Sequence, residues 1–407
     1  MLRVSIKGND LRRWATPLGI AIAIVILLLR RTDQLTDPQV WDEEGTQFIP
    51  SLLEHGARAL FIPVNGYLTI CPRAISYAAL KLGGLAHYPS ISTALGVTFT
   101  AAALAWIGTA PLAIRGGALL AIAVAMVPSD TEVFVVPLYT LWFAGLALFT
   151  LLLWTPGNHS WLFGRITVAL VGGLSNPIVV LLAPLALLRA ALIRTRDEVL
   201  VALSMLVPAG IQLWLLQTTL GESALPRLAD AVLALSRFLG YPLVLWISYN
   251  PPDWVMYMVA AAHLLALGAL LTPAESRLRR LALLALFFIS AWSSMMRVHP
   301  PTAIHPVAAG PRYFFFPFVF LSWFWVDALV SVRTSAARLL PATAAALIAF
   351  STSRCFNRHH EHLDWQASVQ ELAIHRRATF PIQFDGNAGR AWTVTLEMNG
   401  DRIRKAQ

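Results

Sequence analysis

The chain has 407 residues, of which 57% are apolar and only 13% charged, and its mean hydropathy is +0.62. A water-soluble domain of this size carries roughly a quarter of its residues charged, so a soluble enzyme is excluded and a multi-span helical membrane protein is expected. The 31 Lys and Arg against 22 Asp and Glu give a net charge of +9; in so apolar a chain, basic residues flanking spans account for the excess, and no nucleic-acid partner is expected.

In chain order, the apolar run 15–29 ends in Arg30-Arg31 without a small-residue cleavage pattern and reads as an anchor. The segment 30–89 opens with Asp33, Asp37, Asp42, Glu43, Glu44 and Glu54 and is too long for a bare loop. Within it, 46–60 and 67–85 read as helices lying in the membrane interface. Spans are expected at 90–109, 112–127 and 138–154. The apolar stretch 164–188 is broken by Ser175-Asn176-Pro177 and reads as a tight hairpin whose half-helices aim their dipoles into a cavity. Further spans are expected at 199–218, 254–272, 281–296, 314–330 and 339–353, with 240–252 a re-entrant or interfacial piece.

The total is about eleven spans. Arg189, Arg194, Arg196, Arg277, Arg279, Arg280, Arg333 and Arg338 collect between runs on one side, which puts the N-terminus inside and the C-terminus outside. The expected class is therefore an all-α bundle over 1–353, with the first extracytoplasmic loop at 30–89 and a short extracytoplasmic tail at 354–407. Cys71 and Cys355 make neither a disulfide framework nor a zinc site; a single disulfide is the most they allow. His359, His360 and His362 open the tail without an acid ligand at firm spacing, and no metal is assigned to them.

Four places carry candidate chemistry. Asp42, Glu43 and Glu44 are consecutive carboxylates held at the membrane surface by the apolar Phe48-Ile49 that follow, and mutual repulsion raises at least one pKa toward the range of a general base. Tyr67 and Arg73 follow Asn65-Gly66 in an apolar setting, where an arginine needs an anion or water and its planar fork suits phosphate; snorkelling to the interface is the plain alternative. Glu132 lies in a short turn on the same side. Arg297 and His299, then Arg312 and Tyr313, break the positive-inside trend and fit either a bound anion or pairing with the acids.

Read in order, Glu43-Glu44-Gly45 with Phe48, Gly56 with Ala59-Leu60-Phe61, Gly66-Tyr67-Leu68 with Pro72-Arg73, Glu132 ahead of Leu138 to Trp142, Ser175-Asn176-Pro177, Arg312-Tyr313-Phe314, Asp364-Trp365 and Phe380-Pro381-Ile382 resemble a family of bacterial polytopic proteins similar to the glycosyltransferase C superfamily. That resemblance implies a polyprenyl-phosphate-linked sugar donor, an acid in the first outer loop, and transfer on the extracytoplasmic face of the bacterial inner membrane. Glu44 stands where the family pattern has Asp, and Asn176 where Gly is usual.

The expected function is thus transfer of a sugar from a polyprenyl phosphate to a glycan or lipid acceptor, with inversion. Glu44 or Glu43 would take the acceptor proton, and Arg73, Arg297 or Arg312 would neutralise the leaving phosphate. Members of the superfamily the chain resembles differ in needing a divalent cation, and the three carboxylates could hold one through oxygen ligands. A polymerase of lipid-linked units, or a transporter of a lipid-linked saccharide, is the alternative.

Overall fold

Long apolar runs satisfy their backbone N–H and C=O groups away from water by forming helices, and among the described residues the chain does so sixteen times. The structure is a computed structural model that describes residues 8–406 except 158, 160, 218–225, 273, 299, 333, 357, 385–391 and 401. The helices are α1 (Gly8–Arg30), α2 (Thr32–Thr36), α3 (Ile49–His55), α4 (Ile70–Gly83), α5 (Tyr88–Thr109), α6 (Ala118–Ala125), α7 (Thr140–Leu152), α8 (Leu162–Thr167), α9 (Val179–Ile193), α10 (Arg196–Gln217), α11 (Leu228–Val244), α12 (Asp253–Ala269), α13 (Ala274–Met295), α14 (Phe315–Ser331), α15 (Ser335–Ser353) and α16 (Trp365–His375). Strands β1 (Arg377–Ile382), β2 (Trp392–Asn399) and β3 (Arg402–Lys405) follow.

Five helical segments are long and apolar enough to cross a membrane: Tyr88–Thr109, Arg196–Gln217, Ala274–Met295, Pro311–Ser331 and Ser335–Ser353. A helix of this length spans about 30 Å at 1.5 Å per residue, the thickness of the hydrocarbon layer. Their outward faces are apolar: Leu203, Trp214, Leu278, Trp292 and Leu339 are all exposed, a pattern that water would penalise and a bilayer accepts. At the centre stands α14, whose Phe315, Phe316, Phe318, Phe320, Trp323, Phe324 and Trp325 are buried on every side, as an all-round apolar helix must be.

Three expectations are corrected. The run 112–127 holds only the eight-residue α6, about 12 Å long, because Gly116 and Gly117 at φ +142° and +51° break the chain before it; it is not a spanning helix. The piece 240–252 is not separate, since α11 runs through Pro242 to Val244. Nor is the chain all-α. In the tail, the alternating burial of Arg377–Ile382 is the period of a strand, and β1, β2 and β3 pair antiparallel in that order. Trp365, Leu372, Phe380, Val394 and Leu396 bury their side chains against Val40, Ile49 and Tyr88, so the tail and the first loop share a small core. The break at Ser175-Asn176-Pro177 falls where expected, between a π-helical turn at Val168–Gly172 and α9.

The bundle has two chemically distinct ends. At one, the Arg30 guanidinium closes the C-terminus of α1 onto the carbonyls of Ala125, Val127 and Ser129 at 2.7, 2.9 and 2.6 Å, next to the acid run and the tail. At the other, Glu198 accepts from Arg165 at 2.8 Å and Arg189 at 2.7 Å, while Asp327 accepts from Arg279 at 3.3 Å, Arg280 at 3.2 Å and the Arg115 N–H at 2.9 Å.

Candidate functional site

The mouth of the site is shaped by a tight turn. Asn65 and Gly66 both have positive φ, +51° and +82°, the conformation a two-residue hairpin of this Asn-Gly type requires. Val64 N–H donates to Tyr67 O at 2.9 Å and Tyr67 N–H donates back to Val64 O at 3.1 Å, which delivers Asn65 and Tyr67 to the rim of a cavity of about 480 Å³. Deeper down, Gly145 lets α7 approach the broken helix, because a Cβ there would lie 2.7 Å from the Asn176 amide. That amide donates to Leu141 O at 3.0 Å and fixes the tip of the break as the cavity floor.

The acid run fans out. Asp42 sits at φ +37°, held there by the tail: its N–H donates to Gln383 O at 3.0 Å and Gln383 N–H donates to Val40 O at 2.8 Å. A π-helical turn then covers Glu44–Phe48, the kind of local widening that recurs at functional sites. As a result the three carboxylates point to three places. Glu43 lines the cavity and accepts from the Asn65 amide at 3.4 Å. Glu44 is fully buried and accepts from the Tyr88 hydroxyl at 2.6 Å, under the tail. Asp42 is buried beside Tyr139 at 2.8 Å.

Tyr139 joins Asp42 to Glu132, whose Oε1 lies 2.7 Å from the same hydroxyl and is also ion-paired with Arg312. The Tyr139 hydroxyl thus bridges two buried carboxylates, one of which, Glu132, also accepts from Arg312. Burial pushes Asp42 up to about 7, opposed first by the Tyr139 hydrogen bond, with the neighbouring Glu43 and Glu132 carboxylates adding to the rise and Arg312 opposing it. Burial likewise raises Glu44 to about 7 against the Tyr88 and Ser92 hydrogen bonds, and burial raises Asp130 although Arg358 pairs with it.

Of the residues expected from sequence, the cavity wall brings together Glu43, Tyr67, Arg297, Arg312 and Tyr313, with Asp42 and Glu132 directly behind it. Arg297 lies over the Tyr67 ring at 5.7 Å and forms no ion pair among the described residues. Two expected residues go elsewhere. Glu44 is sealed from the cavity by its own burial. Arg73 is buried in the elbow of the first loop, where it donates to the Ala59 carbonyl and lies over the Phe48 ring at 5.0 Å; it is a structural tie, neither at the cavity nor snorkelled. His299 lies outside the described residues.

The three carboxylates do not converge on a common point, and among the described residues no group of three acid, His or Cys side chains has metal-holding geometry. His360 is instead buried against Asp33 at 2.9 Å, and His362 lies 3.0 Å from Asp37. Cys71 and Cys355 are both free. Sequence reasoning missed Tyr139 as a bridging group and Tyr88 as the Glu44 partner; the one signal for Tyr139 is a phenol at the head of the apolar run Leu138 to Trp142.

Below its polar rim the cavity is apolar, walled by Leu141, Trp142 and Ile178 and reaching Leu181 on α9 and Trp292 on α13. Both of these remain exposed, so the apolar part of the cavity is open rather than sealed. Comparison of the chain with protein-family models, curated proteins and solved structures returned no match.

Proposed function

We propose that the chain is an extracytoplasmic glycosyltransferase of the bacterial inner membrane, moving a sugar from a polyprenyl-phosphate donor to a cell-envelope glycan or lipid acceptor. The observation that carries this reading is the amphipathic cavity: arginines and a carboxylate at its rim, an apolar wall that is open at Leu181 on α9 and Trp292 on α13. A lipid phosphate has the same two halves in the same order. Its chain would enter past Leu181 and Trp292, and its phosphate would meet Arg297, which forms no ion pair among the described residues, and Arg312, whose charge is shared with Glu132.

In this reading Glu43 takes the place that Glu44 holds in the sequence expectation. It is the carboxylate of the run that faces the cavity, and it accepts the proton from the acceptor hydroxyl. The hydroxyl oxygen attacks the anomeric carbon, the bond from that carbon to the phosphate oxygen breaks, and the negative charge gathering on the departing lipid phosphate is offset by Arg297 and Arg312. A single displacement inverts the anomeric configuration.

The test is to incubate purified full-length protein with a panel of short-chain polyprenyl-phosphate sugars and candidate acceptors, and to score free lipid phosphate and glycosylated product together. Release coupled to product formation is expected. Movement of intact donor across reconstituted vesicles without cleavage would assign the cavity to a transporter instead.

A further inference from the structure

At the opposite end of the bundle, α9 and α10 form an antiparallel hairpin joined by Arg194 and Thr195. Between them runs a groove of about 590 Å³. Its floor is Ala190 and Ala202, both buried, and its walls are Leu187, Val199 and Leu203, all exposed. Small residues at the helix contact and large ones beside it make a trough on the outside of the bundle. Arg194 stands at its open end.

The charges around that end divide into two sets. Arg165 and Arg189 are taken up by Glu198, and Asp197 lies 2.7 Å from His159. Arg194 and Arg196 are exposed and form no ion pair among the described residues. Arg194 caps α9 in the left-handed conformation at φ +58°, its N–H on Ala190 O at 2.8 Å and its Nε on Ala191 O at 3.2 Å. Both terminal nitrogens of its guanidinium have no hydrogen-bond partner among the described residues and can receive an anion.

We propose that this groove binds one anionic glycerophospholipid, with an acyl chain in the trough and the phosphodiester on Arg194 and Arg196. The trough lies on the lipid-facing exterior, where a lipid chain is the solvent already present. Unpaired arginines at the chain's polar end select a headgroup with net negative charge, since arginine binds phosphate by charge-assisted, bidentate hydrogen bonds. A choline headgroup brings its own cation and competes with them, and free phosphate lacks the chain. The site is independent of the cavity reading.

Native mass spectrometry of the detergent-solubilised full-length protein, titrated with dioleoyl phosphatidylglycerol or dioleoyl phosphatidylcholine, tests it. One phosphatidylglycerol is expected to be retained in preference to phosphatidylcholine. Each arginine near an anionic headgroup is worth roughly fivefold in affinity, so the double variant Arg194→Ala with Arg196→Ala should lose about 25-fold. Leu203→Trp, which fills the trough, should weaken retention of both lipids. Arg277→Ala, an exposed arginine at the same end that hydrogen-bonds Leu271 O, should change nothing. Unchanged retention in the double variant, an equal loss in Arg277→Ala, or displacement of the lipid by millimolar inorganic phosphate would overturn the proposal.

Discussion

The two ends of the bundle use the same residue types to opposite purpose. Where arginines outnumber carboxylates, every buried acid is locked: Glu198 between Arg165 and Arg189, and Asp327 among Arg279, Arg280 and a backbone N–H. Around the cavity the balance is reversed. Asp42, Glu44 and Glu132 are buried, yet of these only Glu132 has an arginine partner among the described residues, and Asp42 and Glu44 are lifted to about 7. Paired arginines make a joint from a buried charge; burial without such a partner raises the carboxylate instead.

The largest effect should come from breaking the locked end. Asp327→Ala leaves Arg280 buried without its carboxylate, and removing one partner of a buried pair costs about 3–5 kcal/mol. A sharply lower thermal midpoint of the purified protein is expected. A midpoint within two or three degrees of wild type would mean that the locked end is no more rigid than the other.

Next comes the phosphate site. Arg297→Ala should weaken binding of a short-chain polyprenyl phosphate by the loss of a charged hydrogen bond, about 1.5–3 kcal/mol, or roughly tenfold to more than a hundredfold. Lys should restore part of it, lacking the bidentate fork. Arg73→Ala should leave that affinity unchanged while lowering stability, because Arg73 ties the first-loop elbow. The reverse pattern in isothermal titration would return the phosphate to Arg73.

A third effect concerns pH. Glu44 has a folded pKa of about 7 against 4.5, so the folded state holds the extra proton. Its stabilising contribution is complete below the unfolded value and is lost as pH rises through about 7, at up to about 1.4 kcal/mol per pH unit. Glu44→Gln removes that titration, so the fall in thermal midpoint between pH 5 and pH 8 should become shallower, Asp42 supplying what remains. An unaltered slope would place the titration elsewhere.

Much of this organisation was legible beforehand. Apolar run lengths located most helices, and Asn65-Gly66 and Ser175-Asn176-Pro177 mark real breaks because φ > 0 and a missing N–H are properties of the residues themselves. The opposite placement of the acid run and of Arg189, Arg194 and Arg279 also follows from charge alone. What sequence does not contain is phase. Asp42, Glu43 and Glu44 are neighbours in the chain, and only the π-helical turn and the tail's grip on Asp42 decide that Glu43, not Glu44, meets the cavity. Arg73 illustrates the same gap: an arginine in an apolar helix needs an acceptor, but that the acceptor is the Ala59 carbonyl rather than a phosphate depends on a chain reversal fourteen residues upstream. The tail's strands are legible in the alternation of Arg377–Ile382, but so short a segment shows no core of its own in the sequence, and the partner it packs on lies in the first loop.

The most direct measurement compares two adjacent amide substitutions in one assay. Release of lipid phosphate from a polyprenyl-phosphate sugar, followed with acceptor present, should fall by on the order of a hundredfold or more in Glu43→Gln and stay near wild type in Glu44→Gln at pH 7. Loss of release in Glu44→Gln with Glu43→Gln unaffected would contradict the assignment of the cavity-facing carboxylate as the base.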